Sequence, residues 1–292
     1  MQVIFTIVLV TLLLFLLLTL FLTYLVQQIP RNAVEDPPDW GKIIDTQISL
    51  SGGGFLEVWK IKPHRQIIQG TVVLAHGWGR NRDRMVSRAR YFGRWGFTTI
   101  IHSARDHGKS SSCRFMNAMK FCEDIEAVLN WVGEPVVLYG HSAGAGGAII
   151  AAERNPDKIK LLFLEACYAD TKEALLSLYR WVNPLFGNLF GPMILYWMNI
   201  FYRNKLAAVS PERLAPSLKM PVMLIHGQND RRFPVKFALK LKSSFPSGQV
   251  NLYLAPGAGH SDSSKTPGYG PAVKKFLDHY LSPEADNGGH LQ

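Results

Sequence analysis

The sequence predicts an α/β protein with eight strands in a mostly parallel sheet, helices on both of its faces, and one transmembrane helix ahead of it. Three observations carry the prediction. Apolar runs bounded by turn residues alternate with helical patterns through most of the 292 residues, as a parallel sheet with crossover helices requires. Only the first two runs are joined by a loop too short for a crossover, at 51–54. Ahead of them, residues 3–26 carry no charge and are long enough to cross a hydrocarbon core of about 30 Å as a helix.

Residues 1–28 are therefore expected to be a transmembrane anchor. A removable signal peptide fits less well, because only Met1 and Gln2 precede the apolar run and no small-residue cleavage site follows it. Arg31 and Lys42 on the C-terminal flank favour a main domain in the cytoplasm. Residues 29–41, rich in proline and acids, read as an extended linker, and 282–292 as a polar frayed tail. The domain between them, 42–281, offers strands at 42–50, 55–63, 71–77, 97–103, 135–141, 160–166, 221–227 and 249–257. The first two should pair antiparallel. The later ones should run parallel through helices near 83–95, 117–131, 143–154, 235–244 and 269–281.

The connection between the sixth and seventh strands is the exception. Within it 181–202 is uncharged, but Pro184, Gly187, Gly191 and Pro192 would break a second membrane span. It is expected to form a helical lid, about 168–215, over the C-terminal edge of the sheet. Its aromatics would face a pocket, a bilayer surface or simply the domain beneath.

Composition narrows the classes. With 47% hydrophobic residues, 16 Phe, 10 Tyr and 7 Trp, the chain is excluded from the disordered class. Its 3 cysteines, Cys113, Cys122 and Cys167, are odd in number and lack metal-like spacing, so neither a disulfide framework nor a metal site is expected. Reduced thiols agree with a cytoplasmic face. The net charge of +10 includes Arg80, Arg84 and Arg88 at four-residue spacing. They would share one helix face, either meeting anionic headgroups beside the anchor or remaining solvated. No nucleic-acid motif accompanies the charge.

Chemistry concentrates in LYGHSAGAG, 138–146. Ser142 follows the fifth strand and precedes an Ala/Gly-rich helix, the context in which Gly-x-Ser-x-Gly forms a nucleophile elbow. Gly140 and Gly144 keep side chains out of the tight reversal, while the helix N-terminus points amides at any oxyanion formed there. A serine hydroxyl needs a base and an orienting acid, which in this strand arrangement follow in the order acid, then histidine. Asp230 closes LIHGQND beyond the seventh strand and His260 sits in APGAGHS beyond the eighth, so both project from the edge bearing Ser142. Glu165, ending the sixth strand, competes with Asp230. His76, His102, His107, His141 and His226 compete with His260, and structural roles suit His76 and His226 better. The oxyanion hole is expected from the backbone N–H groups of Ala143 and of Trp78, the latter in HGWG after the third strand.

HGWG, SARDHGKS, GHSAG, HGQND with Pro234, and GAGH stand in an order and spacing that resembles the α/β-hydrolase fold superfamily over about 42–281. The likeness is to its small bacterial esterase, lipase and serine-peptidase-like members. One block departs from the pattern, with Ser103 and Arg105-Asp106 where the family commonly shows an aspartate and Arg-Gly. That departure falls on a structural turn. The resemblance implies hydrolysis of an ester, thioester or amide through an acyl-enzyme, without a cofactor. Anchor, basic face and aromatic lid together make a lipophilic acyl ester the expected substrate. Acyl transfer, thioester cleavage and peptide cleavage would use the same residues. The lid's sparse acids, Glu173 and Glu212 at its margins, count against aminopeptidase action. A non-catalytic binding protein would be expected to have lost one of Ser142, Asp230 and His260, and all three are present.

Overall fold

The fold is that of a computed structural model describing residues 1–281 apart from 29, 30, 32, 33, 66 and 67. The expected tail at 282–292 and part of the expected linker lie outside the described residues. Eight strands form one sheet: β1 (Gly41–Ser49), β2 (Phe55–Pro63), β3 (Thr71–Ala75), β4 (Thr98–His102), β5 (Val136–His141), β6 (Ile159–Glu165), β7 (Val222–Gly227) and β8 (Val250–Ala255). Their order is β1-β2-β4-β3-β5-β6-β7-β8. β1 pairs antiparallel with β2 and β2 with β4, whereas β4, β3, β5, β6, β7 and β8 run parallel.

The order reverses at β3. Its neighbours β4 and β5 lie on opposite sides, so the chain leaves toward one edge and later returns toward the other. A crevice opens beyond the carboxyl ends of strands at such a switch point. Ala75 ends β3 opposite Gly140 of β5, which brings the loop after β3 beside the turn after β5.

Period-two alternation divides the core. Val73, Leu138, Leu162 and Leu224 face one side, with α3 (Ala118–Val132), α4 (Ala143–Arg154) and α9 (Lys236–Ser243) packed over them. Their sequence neighbours Leu74, Tyr139, Phe163 and Ile225 face the other, under α2 (Val86–Arg94) and α10 (Tyr269–Leu281). β3, β5 and β7 are buried along their whole length, which explains apolar runs too continuous for a half-exposed strand. The helix expected from residue 83 instead opens with a 3₁₀ turn, Arg82–Met85, before α2 begins at Val86.

Between β6 and β7 the chain forms α5 (Thr171–Val182), α6 (Pro184–Leu189), α7 (Gly191–Phe201) and α8 (Pro211–Leu214). The prolines act as helix starters here. Asn183 caps α6 by accepting from the Phe186 N–H, and Pro184 occupies the first turn, where a missing N–H costs nothing. α1 (Gln2–Leu25) is a single helix of 24 residues with mean hydropathy 3.1 over its most apolar stretch, long and apolar enough to span a membrane. Most of it is exposed. Its C-terminal part lies against α7, where Leu22 and Val26 pack on the cluster around Ile194, Leu195 and Met198. Trp197 Nε1 donates to Thr19 Oγ1 at 3.0 Å, one of the few polar ties α1 makes.

Candidate active site

The turn between β5 and α4 is one residue long. Ser142 takes φ 54 and ψ −117, a conformation that side chains rarely adopt. Its N–H donates to the Glu165 carbonyl at 2.9 Å, and its own carbonyl accepts from Ala145 and Gly146 at 2.9 and 3.1 Å. A Cβ on Gly144 would collide with the Ala75 and His76 carbonyl oxygens, and one on Gly140 with Ala145 Cα. The two glycines thus let α4 start hard against β3 and β5, which holds the strained serine in place.

The structure brings three of the expected side chains together. His260 Nε2 lies 2.9 Å from Ser142 Oγ, and His260 Nδ1 lies 2.7 Å from Asp230 Oδ2. Asp230 Oδ1 accepts from the Arg232 and Phe233 N–H groups at 2.8 and 3.0 Å. Burial pushes the Asp230 carboxyl up, but the hydrogen bond and charge of His260 outweigh it and hold the group below the ordinary carboxylate range. An imidazole whose Nδ1–H is held by a carboxylate presents a bare Nε2 to the serine hydroxyl. Such a chain can draw a proton from Ser142 and stabilise the imidazolium that results. Ala143 is the first residue of α4, a position whose N–H has no partner inside the helix. Trp78 and Ala143 both border the space in front of Ser142.

That space is a cavity of about 420 Å³ beneath α5 and α7. Leu175, Leu178, Met198, Val209 and Phe233 make its walls largely apolar. Its charged lining among the described residues is Arg154 and Lys205, and no carboxylate contributes.

A family model described as serine aminopeptidase, S33, matches residues 66–205. A monoacylglycerol lipase of Mycolicibacterium smegmatis is 23% identical over 250 residues, 73% of this chain and 87% of that protein. A bifunctional esterase/perhydrolase of Acinetobacter calcoaceticus is 22% identical, covering 63% of this chain and 83% of its own. Among solved structures, an esterase of Pyrococcus furiosus superposes with a TM-score of 0.64 at 19% identity, over 87% of this chain and 99% of that one. A bacterial membrane phospholipase A superposes with a TM-score of 0.60 at 15% identity, over 82% and 87%. The fold is that of the α/β-hydrolases.

Within this fold Glu165 stands apart from the serine. Arg88 grips it in a fork, Nε to Oε2 at 2.8 Å and a terminal nitrogen to Oε1 at 2.7 Å, and Tyr139 OH donates to Oε2 at 2.7 Å. Burial alone would raise the Glu165 carboxyl, but the guanidinium charge and hydrogen bonds drive it down to about 2. This overturns the expected basic face. Arg80 precedes any helix, Arg84 lies in the 3₁₀ turn, and Arg88 is 2% exposed inside the domain, so the three do not form one surface for anionic lipid. A signal for Arg88 was present in the sequence, since it shares a helical face with Met85, Ala89 and Phe92.

Four other histidines hold loops, while His102, buried at the end of β4, has no hydrogen-bond partner on either ring nitrogen among the described residues. His76 Nε2 accepts from the Ala104 N–H, and its Nδ1 lies 2.7 Å from the Gly77 carbonyl. His107 Nε2 accepts from the Gly79 N–H at 3.0 Å. Together they pin the loop carrying Trp78, a role for His107 that its sequence context did not reveal. His226 Nε2 meets the Phe233 carbonyl at 2.7 Å, which steadies the segment after Asp230, and His141 Nε2 meets the His260 carbonyl at 3.0 Å. Where the family commonly has Arg-Gly, Asp106 adopts φ 61, the left-handed conformation a glycine would take without cost. Its carboxylate accepts from the Ser112 hydroxyl at 2.6 Å and the Cys113 N–H at 2.9 Å, which stabilises the same turn by other means.

Proposed function

We propose that this protein is a membrane-anchored serine hydrolase that cleaves a lipophilic acyl ester. The observation that carries the reading is the unbroken Asp230–His260–Ser142 hydrogen-bonded chain opening into an apolar cavity. Ser142 Oγ attacks the ester carbonyl while its proton passes to His260 Nε2. The Trp78 and Ala143 N–H groups stabilise the oxyanion of the tetrahedral intermediate. Collapse expels the alcohol, which takes the proton from His260, and leaves an acyl-serine. Water then attacks with His260 again as base, releasing the fatty acid and restoring the serine. Asp230 keeps the imidazole in its reactive tautomer throughout.

The cavity favours an ester over a peptide. Aminopeptidase action needs an anion to receive the substrate's ammonium, and the charged groups lining this cavity are cations. The monoacylglycerol lipase and esterase relatives support the ester reading. α1 is read as retained, holding the domain at a bilayer on its cytoplasmic side, which a reporter fused at the C-terminus would check.

Purified protein should label with a fluorophosphonate probe, and Ser142→Ala should not. A wild type that stays unlabelled would overturn the catalytic reading in favour of a binding protein. Across p-nitrophenyl esters from acetyl to palmitoyl, kcat/KM should rise with chain length. A preference for acetyl would remove the lipid substrate.

A further inference from the structure

Behind the cavity at Ser142 lies a second one, of about 670 Å³. Leu17, Leu20, Phe21 and Tyr24 of α1 line it, spaced so that they share one helical face, with Phe115 and Phe201 opposite. Its volume, like that of the first, is in the range of small-molecule sites. Gln27, Asn117 and Tyr202 line both cavities. These three side chains form a hydrogen-bonded partition: Tyr202 OH donates to Gln27 Oε1 at 2.7 Å and accepts from Asn117 Nδ2 at 3.3 Å. Gln27 Nε2 in turn donates to the Thr23 carbonyl at 2.8 Å, tying the partition to the end of α1.

The outer cavity is unlike an ordinary surface groove because one wall is the apolar span itself. Leu17, Leu20 and Phe21 are uncharged, exposed and within the stretch that would lie in hydrocarbon. Water is a poor occupant for such walls, and in a bilayer the groove would be filled by lipid tails. The partition is polar between two largely apolar cavities, with Lys120 on the outer side and Arg154 and Lys205 on the inner, so a tail passing it meets side chains that can rotate rather than packed backbone. Tyr202 also sits at a strained end. α7 stops there, and the next two residues, Arg203 and Asn204, adopt φ 50 and 61, left-handed values rare for non-glycine residues.

We infer that the groove between α1 and α7 admits the acyl chain of a bilayer lipid sideways, and that Gln27, Asn117 and Tyr202 form a latch through which the chain reaches Ser142. The inference rests on the hydrolase reading and adds the route. α1 is then a wall of the substrate path as well as an anchor. A lipid ester need not leave the membrane, and its carbonyl follows its tail from groove to cavity.

The test uses the full chain in phosphatidylcholine vesicles and compares hydrolysis of an oleoyl monoacylglycerol resident in the bilayer with that of soluble p-nitrophenyl butyrate. Leu17→Trp combined with Leu20→Trp fills the groove, and Leu18→Trp places one such ring at the same depth on another face. The groove variant should lower the ratio of bilayer to soluble rates roughly tenfold, while Leu18→Trp holds it near that of wild type. An unchanged ratio in the groove variant, or an equal fall in both, overturns the route. Labelling by a soluble fluorophosphonate reports that each variant is folded; where the double substitution impairs it, Leu20→Trp alone is read in the same way. Wild type that neither labels nor cleaves either ester would instead overturn the hydrolase reading.

Discussion

Two buried carboxylates stand at the ends of neighbouring strands, Glu165 closing β6 and Asp230 just beyond β7, and they have opposite characters. Glu165 faces a guanidinium that never gives up its proton, and Tyr139 completes its shell. Asp230 faces an imidazole that can gain and lose one, with two backbone N–H groups fixing its other oxygen. Burial is common to both, so burial does not make a site. The partner decides: Arg88 turns one strand end into a fixed pillar between sheet and α2, and His260 links the other to Ser142 through a ring that can gain and lose a proton.

The comparison breaks most visibly at Asp230. Asp230→Asn should lower kcat by about 10⁴-fold with little change in Tm, because the amide favours the wrong histidine tautomer. Glu165→Gln should do the reverse, leaving folded protein that labels with fluorophosphonate but is destabilised by about 3–5 kcal/mol, since Arg88 is left buried without its counter-charge. Urea unfolding and probe labelling of both variants read the two effects side by side. An inactive Glu165→Gln enzyme of normal stability would exchange the two roles. Replacing Arg88 and Glu165 together by methionine should cost less than either single change, and a double-mutant cycle measures that coupling.

The comparison extends to pH. Glu165 titrates at about 2 rather than 4.5, so its contribution is complete above pH 4.5 and is lost only as pH falls toward 2. The buried histidines fail earlier. Burial holds His102 and His107 neutral down to about 4 and His141 to about 3, whereas the unfolded chain takes up those protons below 6.5. Stability should therefore fall as pH drops from 6.5 toward 4, by about 2 kcal/mol per histidine near pH 5. Asp124, pushed up to about 6 by burial, returns part of it, because it binds a proton in the folded state first. Tm measured across this range should decline while the Arg88–Glu165 pillar is intact, and a flat profile down to pH 5 would contradict the neutral histidines.

Much of the fold was legible because its strands are either wholly buried or hairpin-linked. β2, α4 and α10 fall at the residues their patterns predict, and elsewhere strand ends shift by a residue or two. The site was legible for a related reason. Parallel strands deliver their carboxyl ends to one edge, so Ser142, Asp230 and His260, each just past a strand, could be placed on that edge without knowing any distance. What misled was the arginine spacing. A four-residue repeat implies a shared face only if one helix spans it, and here the helix starts at Val86.

The sequence by itself determined the apolar span, the strand and helix order, and the residues that could carry a serine hydrolase's chemistry, because periodicity, turn residues and local motifs act over a few positions. Only the tertiary structure decided that Glu165 belongs to Arg88 and Asp230 to His260, and that the end of α1 forms a wall beside the cavity at Ser142. Those outcomes depend on pairs far apart in the chain, where a buried charge must find its partner or remain at prohibitive cost, and no local pattern records which partner it finds.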